Sequence, residues 1–122
     1  MARQLSSLSS TSVSPSDGVT STAIDVSGTA KPAGVGVEFT VTCSATMDGD
    51  ATLYLLGSID GTNFTSLEEG RPLATISDVD TATVKEVTSF VNTGFEEIKF
   101  AVTNSDVSNS ITVTVAYTLN AL

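Results

Sequence analysis

Histidine and tryptophan are absent from this 122-residue sequence, which has a single cysteine and only five Lys or Arg. Without His, neither a Ser-His-Asp nor a Cys-His nucleophile can be assembled. One thiol cannot close an internal disulfide, and with no His the usual zinc, haem and iron–sulfur ligand sets are missing, so no cofactor and no metal of that kind is expected. Five cations against fourteen Asp and Glu leave a formal charge of -9, which disfavours phosphate-backbone binding and hence nucleic acid as a partner. No apolar run approaches membrane-spanning length, and the opening MARQLSSLSSTSVSPSDG contains no continuous apolar segment of a secretory signal. No membrane partner is expected. The lone Cys43 fits synthesis and folding in a reducing cytoplasm.

What is present is a β pattern. Val37, Phe39, Val41 and Cys43 alternate with Glu38, Thr40, Thr42 and Ser44, which predicts a strand over 35–45 with one face in the core and Cys43 as a small buried hydrophobe. A first strand is predicted from Thr20 to Val26, ended by Gly28 and Lys31-Pro32-Ala33-Gly34. Asp48-Gly49-Asp50 reads as a hairpin turn into ATLYLLGS, through the positive φ angles that Asp-Gly accepts. Leu73 to Ile76 and Thr81 to Phe90 read as strands, the second with a bulge near Glu86 to reconcile its two halves. Ile98, Phe100 and Val102, then Ile111, Val113, Val115, Tyr117 and Leu119, give two final strands joined by NSDVSNS as a long hairpin. Apolar residues at helical spacing never persist. The expectation is an all-β chain: an antiparallel β-sandwich of about eight strands, jelly-roll or immunoglobulin-like, over residues 18–122.

Residues 1–17 are dominated by Ser and Thr, with Leu5, Leu8 and Val13 spaced among them. That composition is too polar to fold by itself. It reads either as an extended arm lying on a neighbouring subunit, with Leu5, Leu8 and Val13 as its partner-binding anchors, or as a solvated tail.

The segment GSIDGTNFTSL offers the most conspicuous candidate site. Asp60-Gly61 reads as a turn in which Phe64 packs and Thr62 and Asn63 cap. The alternative is calcium, since Asp48, Asp50, Asp60, Asp78 and Asp80 fall in predicted loops, although no EF-hand or glycine-rich calcium repeat is present. Glu68-Glu69 and Glu96-Glu97 are the only carboxylate pairs for acid–base work, and neighbours in a strand point to opposite faces. With no phosphate-binding glycine loop either, catalysis is not expected. Asn63-Phe64-Thr65 matches a glycosylation sequon. Tyr54 and Tyr117 are the candidate sugar platforms, each in a strand where packing competes. Outward-facing Thr with few charges suits contacts with other protein surfaces.

The succession EFTVTCSAT, ATLYLLGSIDGTNFTSL and FEEIKFAVTNSDVSNSITVTVAYTL resembles small β-sandwich proteins encoded among tailed-bacteriophage virion genes, over about Val35 to Leu119. Phe64 stands where many relatives carry Trp, and Lys99 where an Arg often precedes the final hairpin. The resemblance implies a virion structural protein, most simply a capsid decoration or cement protein on the outer head surface, made in the host cytoplasm. Its implied partners are the major capsid protein and neighbouring copies of itself, with a homotrimer or another closed ring favoured by a symmetric shell. A tail, neck or fibre connector and a carbohydrate-binding module are the other readings.

Overall fold

The computed structural model describes residues 5–27, 33–92 and 94–121; the turn expected from Gly28 and Lys31-Pro32 lies outside them. The described residues form nine strands: β1 Leu5–Val13, β2 Asp17–Thr20, β3 Ile24–Asp25, β4 Ala33–Thr46, β5 Asp50–Ser58, β6 Arg71–Ser77, β7 Asp80–Asn92, β8 Glu97–Asn104 and β9 Ile111–Ala121. A single 3-10 turn, Leu67–Glu69, interrupts them.

All pairings are antiparallel, in two sheets ordered β1-β9-β4-β7 and β2-β8-β5-β6, with β3 also on β8. This is the double-sheet jelly roll, and it settles the choice against the immunoglobulin-like order. The expected antiparallel sandwich is therefore present. Of the strands adjacent in sequence, only β5 and β6 pair with each other; most other connections cross from one sheet to the facing one.

That wrapping corrects four expectations. Asp48-Gly49-Asp50 is a crossing between sheets, not a hairpin turn, and Gly49 is not among the positive-φ residues. The final two strands are not a hairpin either, because β8 and β9 belong to opposite sheets. The strand expected over Thr20 to Val26 is two short pieces, β2 and β3, both on β8; between them the Ser21 hydroxyl accepts the Phe100 N–H at 3.0 Å. The β7 bulge near Glu86 is absent: β4 and β7 stay in register from Ala33 opposite Asn92 to Cys43 opposite Ala82, and the shift comes later, between Cys43 and Thr46. Ala82, Val84 and Phe90 share one face of β7, but only the Phe90 end is covered, while Val87 faces outward, 74% exposed.

The core forms where the alternating faces meet. Phe39 and Val41 of β4, Val113 and Val115 of β9, and Leu53 and Phe100 from the facing sheet are fully buried. Each such side chain contributes about 1.5 to 3 kcal/mol on burial. Phe100 sits at the centre, edge-on to Phe90 with ring centroids 6.5 Å apart and tilted against Tyr117 at 5.9 Å. Burial raises the Tyr117 hydroxyl above its ordinary pKa.

Residues 5–13 overturn the separate arm. They form β1, which pairs with β9 as the edge of the sandwich sheet. Its Ser and Thr residues need no apolar payload of their own, because β9 supplies backbone partners and only every few residues must face the core.

Candidate interaction surfaces

Leu5, Leu8 and Val13 are not partner anchors in this fold. Val13 and Leu8 are buried in this chain's own core and Leu5 packs against its rim. The described residues therefore carry no free apolar arm.

Two turns of the same chemistry hold opposite ends of the sandwich. In SIDGTN, Asp60 Oδ1 accepts the Thr62 and Asn63 N–H groups, both at 2.8 Å, and the Ser58 hydroxyl at 2.9 Å; Asn63 Nδ2 donates to Oδ2 at 2.8 Å. Gly61 follows with φ of 76°, a left-handed conformation that favours glycine. The Asn63 N–H, the strongest of these donors, with Thr62 next, holds the Asp60 carboxyl well below the usual carboxylate range. Both oxygens of Asp60 are committed, so the turn reading stands. Phe64 leaves this turn to lie under Lys99, whose Nζ is 4.2 Å from the ring centroid, a cation–π contact that folds the 59–66 loop over the β2-β8-β5-β6 sheet. The sequon is built into the same loop, since Thr65 Oγ1 accepts the Gly57 N–H at 3.0 Å.

The second turn, SDVSN, is one that sequence reasoning passed over. Asp106 Oδ1 accepts the Ser108 and Asn109 N–H groups at 2.8 Å, repeating the D-x-Thr/Ser-Asn geometry of Asp60, and its Oδ2 accepts the Asp48 N–H at 2.6 Å. The Asp106 carbonyl takes the Ser16 N–H at 2.9 Å. Beside it, buried Asn104 donates its amide to the carbonyls of Val13, Ser14 and Asn109 and accepts the Asp106 N–H. Three sheet-to-sheet crossings, residues 14–16, 47–49 and 105–110, are thus tied together around one carboxylate that is 1% exposed. The shared D-x-Thr/Ser-Asn spelling was the signal available in the sequence.

These N–H donors, Ser108 first, hold Asp106 well below its ordinary value of 3.8. A depressed folded pKa contributes stability that is complete above the unfolded value and is lost as pH falls through the folded one. Unfolding followed by urea from pH 7 down to pH 2 should therefore show stability falling once pH drops below about 4. Asp106→Asn should be less stable at pH 7 and show a shallower acid limb. An acid limb as steep as wild type would remove Asp106 from that role.

Of the other calcium candidates, Asp50 accepts the Ser77 hydroxyl at 2.6 Å and Asp80 the Thr46 hydroxyl at 2.8 Å. Among the described residues no three His, Cys, Asp or Glu are grouped to hold a metal ion. Glu68 and Glu69 lie on the 3-10 turn, where Glu69 accepts the Ser66 hydroxyl at 3.0 Å, and Glu97 opens β8 in register with Ser58. Cys43 is buried, as expected of a small hydrophobe.

Three features remain for partners. The outer face of the β1-β9-β4-β7 sheet is laid out in rows by strand register: Ser12, Thr112, Thr42 and Thr83 stand side by side, then Thr114, Thr40 and Lys85. Thr42 and Thr83 share a hydrogen bond at 2.8 Å, and Lys85 pairs with Glu38 at 3.0 Å. Gly34 and Gly36 then leave a trough beside exposed Val87 and Val91. Apart from Lys85 and Glu38, this face carries mostly short side chains. On the opposite sheet, half-exposed Tyr54 lies in register between Ala101 and Pro72, whereas Tyr117 is a core residue. At one end of the sandwich, Leu55, Ile59, Arg71, Phe90 and Phe95 line a hollow of about 360 Å³.

No known family profile matches the sequence, and no curated protein matches it. Solved structures do share the fold. Over 99% of its length the chain superposes on 32% of a chain in the crystal structure of the infectious bursal disease virus VP2 subviral particle, with TM-score 0.69 and 15% identity. The structure of the Gx strain of that virus gives the same score and coverage at 11% identity. The CBM22-1 xylan-binding domain of Paenibacillus barcinonensis Xyn10C matches all of this chain with 86% of its own, at TM-score 0.58 and 11% identity. The chain spans about a third of the viral chains it matches, and identities this low show the fold alone.

Proposed function

We propose that this chain is a non-catalytic structural protein of a bacteriophage virion, a decoration or cement protein that seats on the outer head surface and stabilises the shell. The observation that carries this reading is the match of the complete jelly roll to the VP2 subviral particle structure. The flat Thr/Ser/Gly face of the β1-β9-β4-β7 sheet supports it. A surface of mostly short side chains, on which Lys85 and Glu38 are paired with each other, suits close contact with another folded surface, at little cost in side-chain freedom. Its partner would be the major capsid protein. A domain that binds only the assembled shell stabilises that shell by mass action, in proportion to occupancy.

Intact heads and heads stripped of the protein test this. Cryo-electron microscopy should find hundreds of copies over the head, and stripped heads should lose heat resistance and regain it when the purified chain is added back. Thr40→Arg, which plants a long charge in the middle of the flat face, should fold normally and fail to restore resistance. A few copies at the tail would replace this reading with a connector.

Carbohydrate binding is the second reading, favoured by Tyr54, an aromatic residue partly exposed in register with small Ala101, since sugar rings stack on accessible aromatic side chains. Saturable binding of the isolated domain to a glycan, abolished by Tyr54→Ala, would support it over the cement role.

A further inference from the structure

We propose that β1 is an exchangeable strand, and that copies of this chain associate by swapping it reciprocally, each copy's β1 docking on the β9 edge of another. The fold places all the requirements in one segment. β1 is an edge strand held through a single neighbour. Its register on β9 is broken twice within nine residues, between Ser6 and Leu8 and between Leu8 and Thr11, and Ser10 sits at a φ of 45°. Detaching it and opening the hinge sacrifices one irregular ladder, the Asn104 bonds to the Val13 and Ser14 carbonyls, the Ser16 N–H bond to Asp106 and the burial of Leu8 and Val13. Of these, the ladder, the burial and the Val13 bond are remade on the acceptor copy.

The hinge is the second independent observation. Only Ser14, Pro15 and Ser16 connect β1 to β2 on the facing sheet. Pro15 fixes its own φ, and Ser16 is held at a φ of 54°, left-handed backbone that disfavours a side-chain-bearing residue. Short, strained hinges favour exchange, because opening the hinge releases the strain while every strand contact is remade between copies. The slot is complementary by construction: the β9 edge that accepts β1 within one chain offers the same backbone groups and the same Leu8 and Val13 sockets to β1 of another. The occupant is therefore a second copy of this chain. This inference stands apart from the virion reading, since it concerns how copies join each other and holds or fails with the isolated protein.

The test uses two full-length variants in a Cys43→Ala background. Ser12 lies opposite Thr112 across β1 and β9, and both are exposed. Ser12→Cys and Thr112→Cys chains, unfolded, mixed and refolded together, are then oxidised. Neither chain can cross-link within itself, so a covalent heterodimer above the collisional background forms only where β1 of one copy lies on β9 of the other. Ser12→Cys mixed with Ile59→Cys, an exposed position at the opposite end of the sandwich, supplies the collisional background. The expected result is a heterodimer well above that background. Adding Ser16→Gly to both chains relieves the closed hinge and should weaken exchange about five-fold per hinge, which corresponds to the roughly 1 kcal/mol left-handed penalty. Cross-linking no greater than with Ile59→Cys overturns the proposal, as does a yield unmoved by Ser16→Gly.

Discussion

Gly49→Ala is expected to lower the unfolding free energy by about 3 kcal/mol, at the upper end of overpacking costs. A Cβ at this position would stand against the Asp106 nitrogen, 2.6 Å from its Cα and 2.7 Å from the Ser105 carbonyl carbon. All three are backbone atoms of a loop pinned from several sides, so no rotamer change can make room. Separating the loops would break the Asp48 N–H bond to Asp106 and the Ser105 N–H bond to the Asp50 carbonyl at 2.9 Å. Urea denaturation reads the effect as a lower midpoint at unchanged slope. Gly94→Ala is the matched control, since nothing lies within 4 Å of its added Cβ, and it should stay within about 0.5 kcal/mol of wild type. A Gly49 variant equally close to wild type would mean that the 47–49 and 105–110 crossings are not locked together.

Phe100→Ala should cost about 4 kcal/mol, within the range for deleting a buried aromatic ring. Phe100 is fully enclosed and touches rings from the facing sheet on two sides, Phe90 of β7 and Tyr117 of β9. Its removal leaves both without their aromatic partner, and strands on either side of the cavity are too well anchored in register to collapse into it. For a domain of this size the loss corresponds to a fall in Tm of about 15 °C. Phe100→Leu, which refills most of the volume, should recover more than half of the deficit. If the Ala variant melts within about 3 °C of wild type, the centre of the core lies elsewhere.

Much of the fold was legible in the sequence, and the reasons differ from strand to strand. The alternation of Val37, Phe39, Val41 and Cys43 was readable because β4 has a neighbour on each side and a covered inner face along its whole length. β7 lacks the expected bulge near Glu86 because the facing sheet covers only its Phe90 end, so Ala82 and Val84 carry the inward parity without the burial, while Val87 on the other parity is an exposed outward residue. β1 was invisible to hydropathy. Its five serines imitate a disordered tail, and the backbone partners that order it come from β9, about a hundred residues away, as in the Ser10 N–H bond to Thr114 Oγ1 across 104 positions.

The turns were legible as turns and illegible as connections. Asp-Gly and Ser/Asn-rich segments announce a reversal, but the same residues serve a two-residue hairpin and a crossing to the facing sheet, and local chemistry does not distinguish them. The commitment of Asp60 to Asn63 and Thr62 followed from S-x-D-G-T-N itself. The convergence of Asp106, Asn104, Asp48 and Ser16 required the jelly-roll path, because these residues come from loops with no sequence relation.

The position of β9 also governs how a newly made chain acquires its shape. β9 joins β1 to β4 yet is translated after every strand it unites, so during synthesis the β1-β9-β4-β7 sheet exists only as the β4–β7 pair with β1 waiting unattached. The hairpin of β5 with β6 can form as it leaves the ribosome, whereas the rest depends on pairings distant in sequence, which places refolding on the millisecond-to-second side of the range for domains of this size. Until its own β9 emerges, a nascent chain presents an unclaimed β1 and an open β4 edge, and the β9 of an already finished copy can pair with either before that chain is complete.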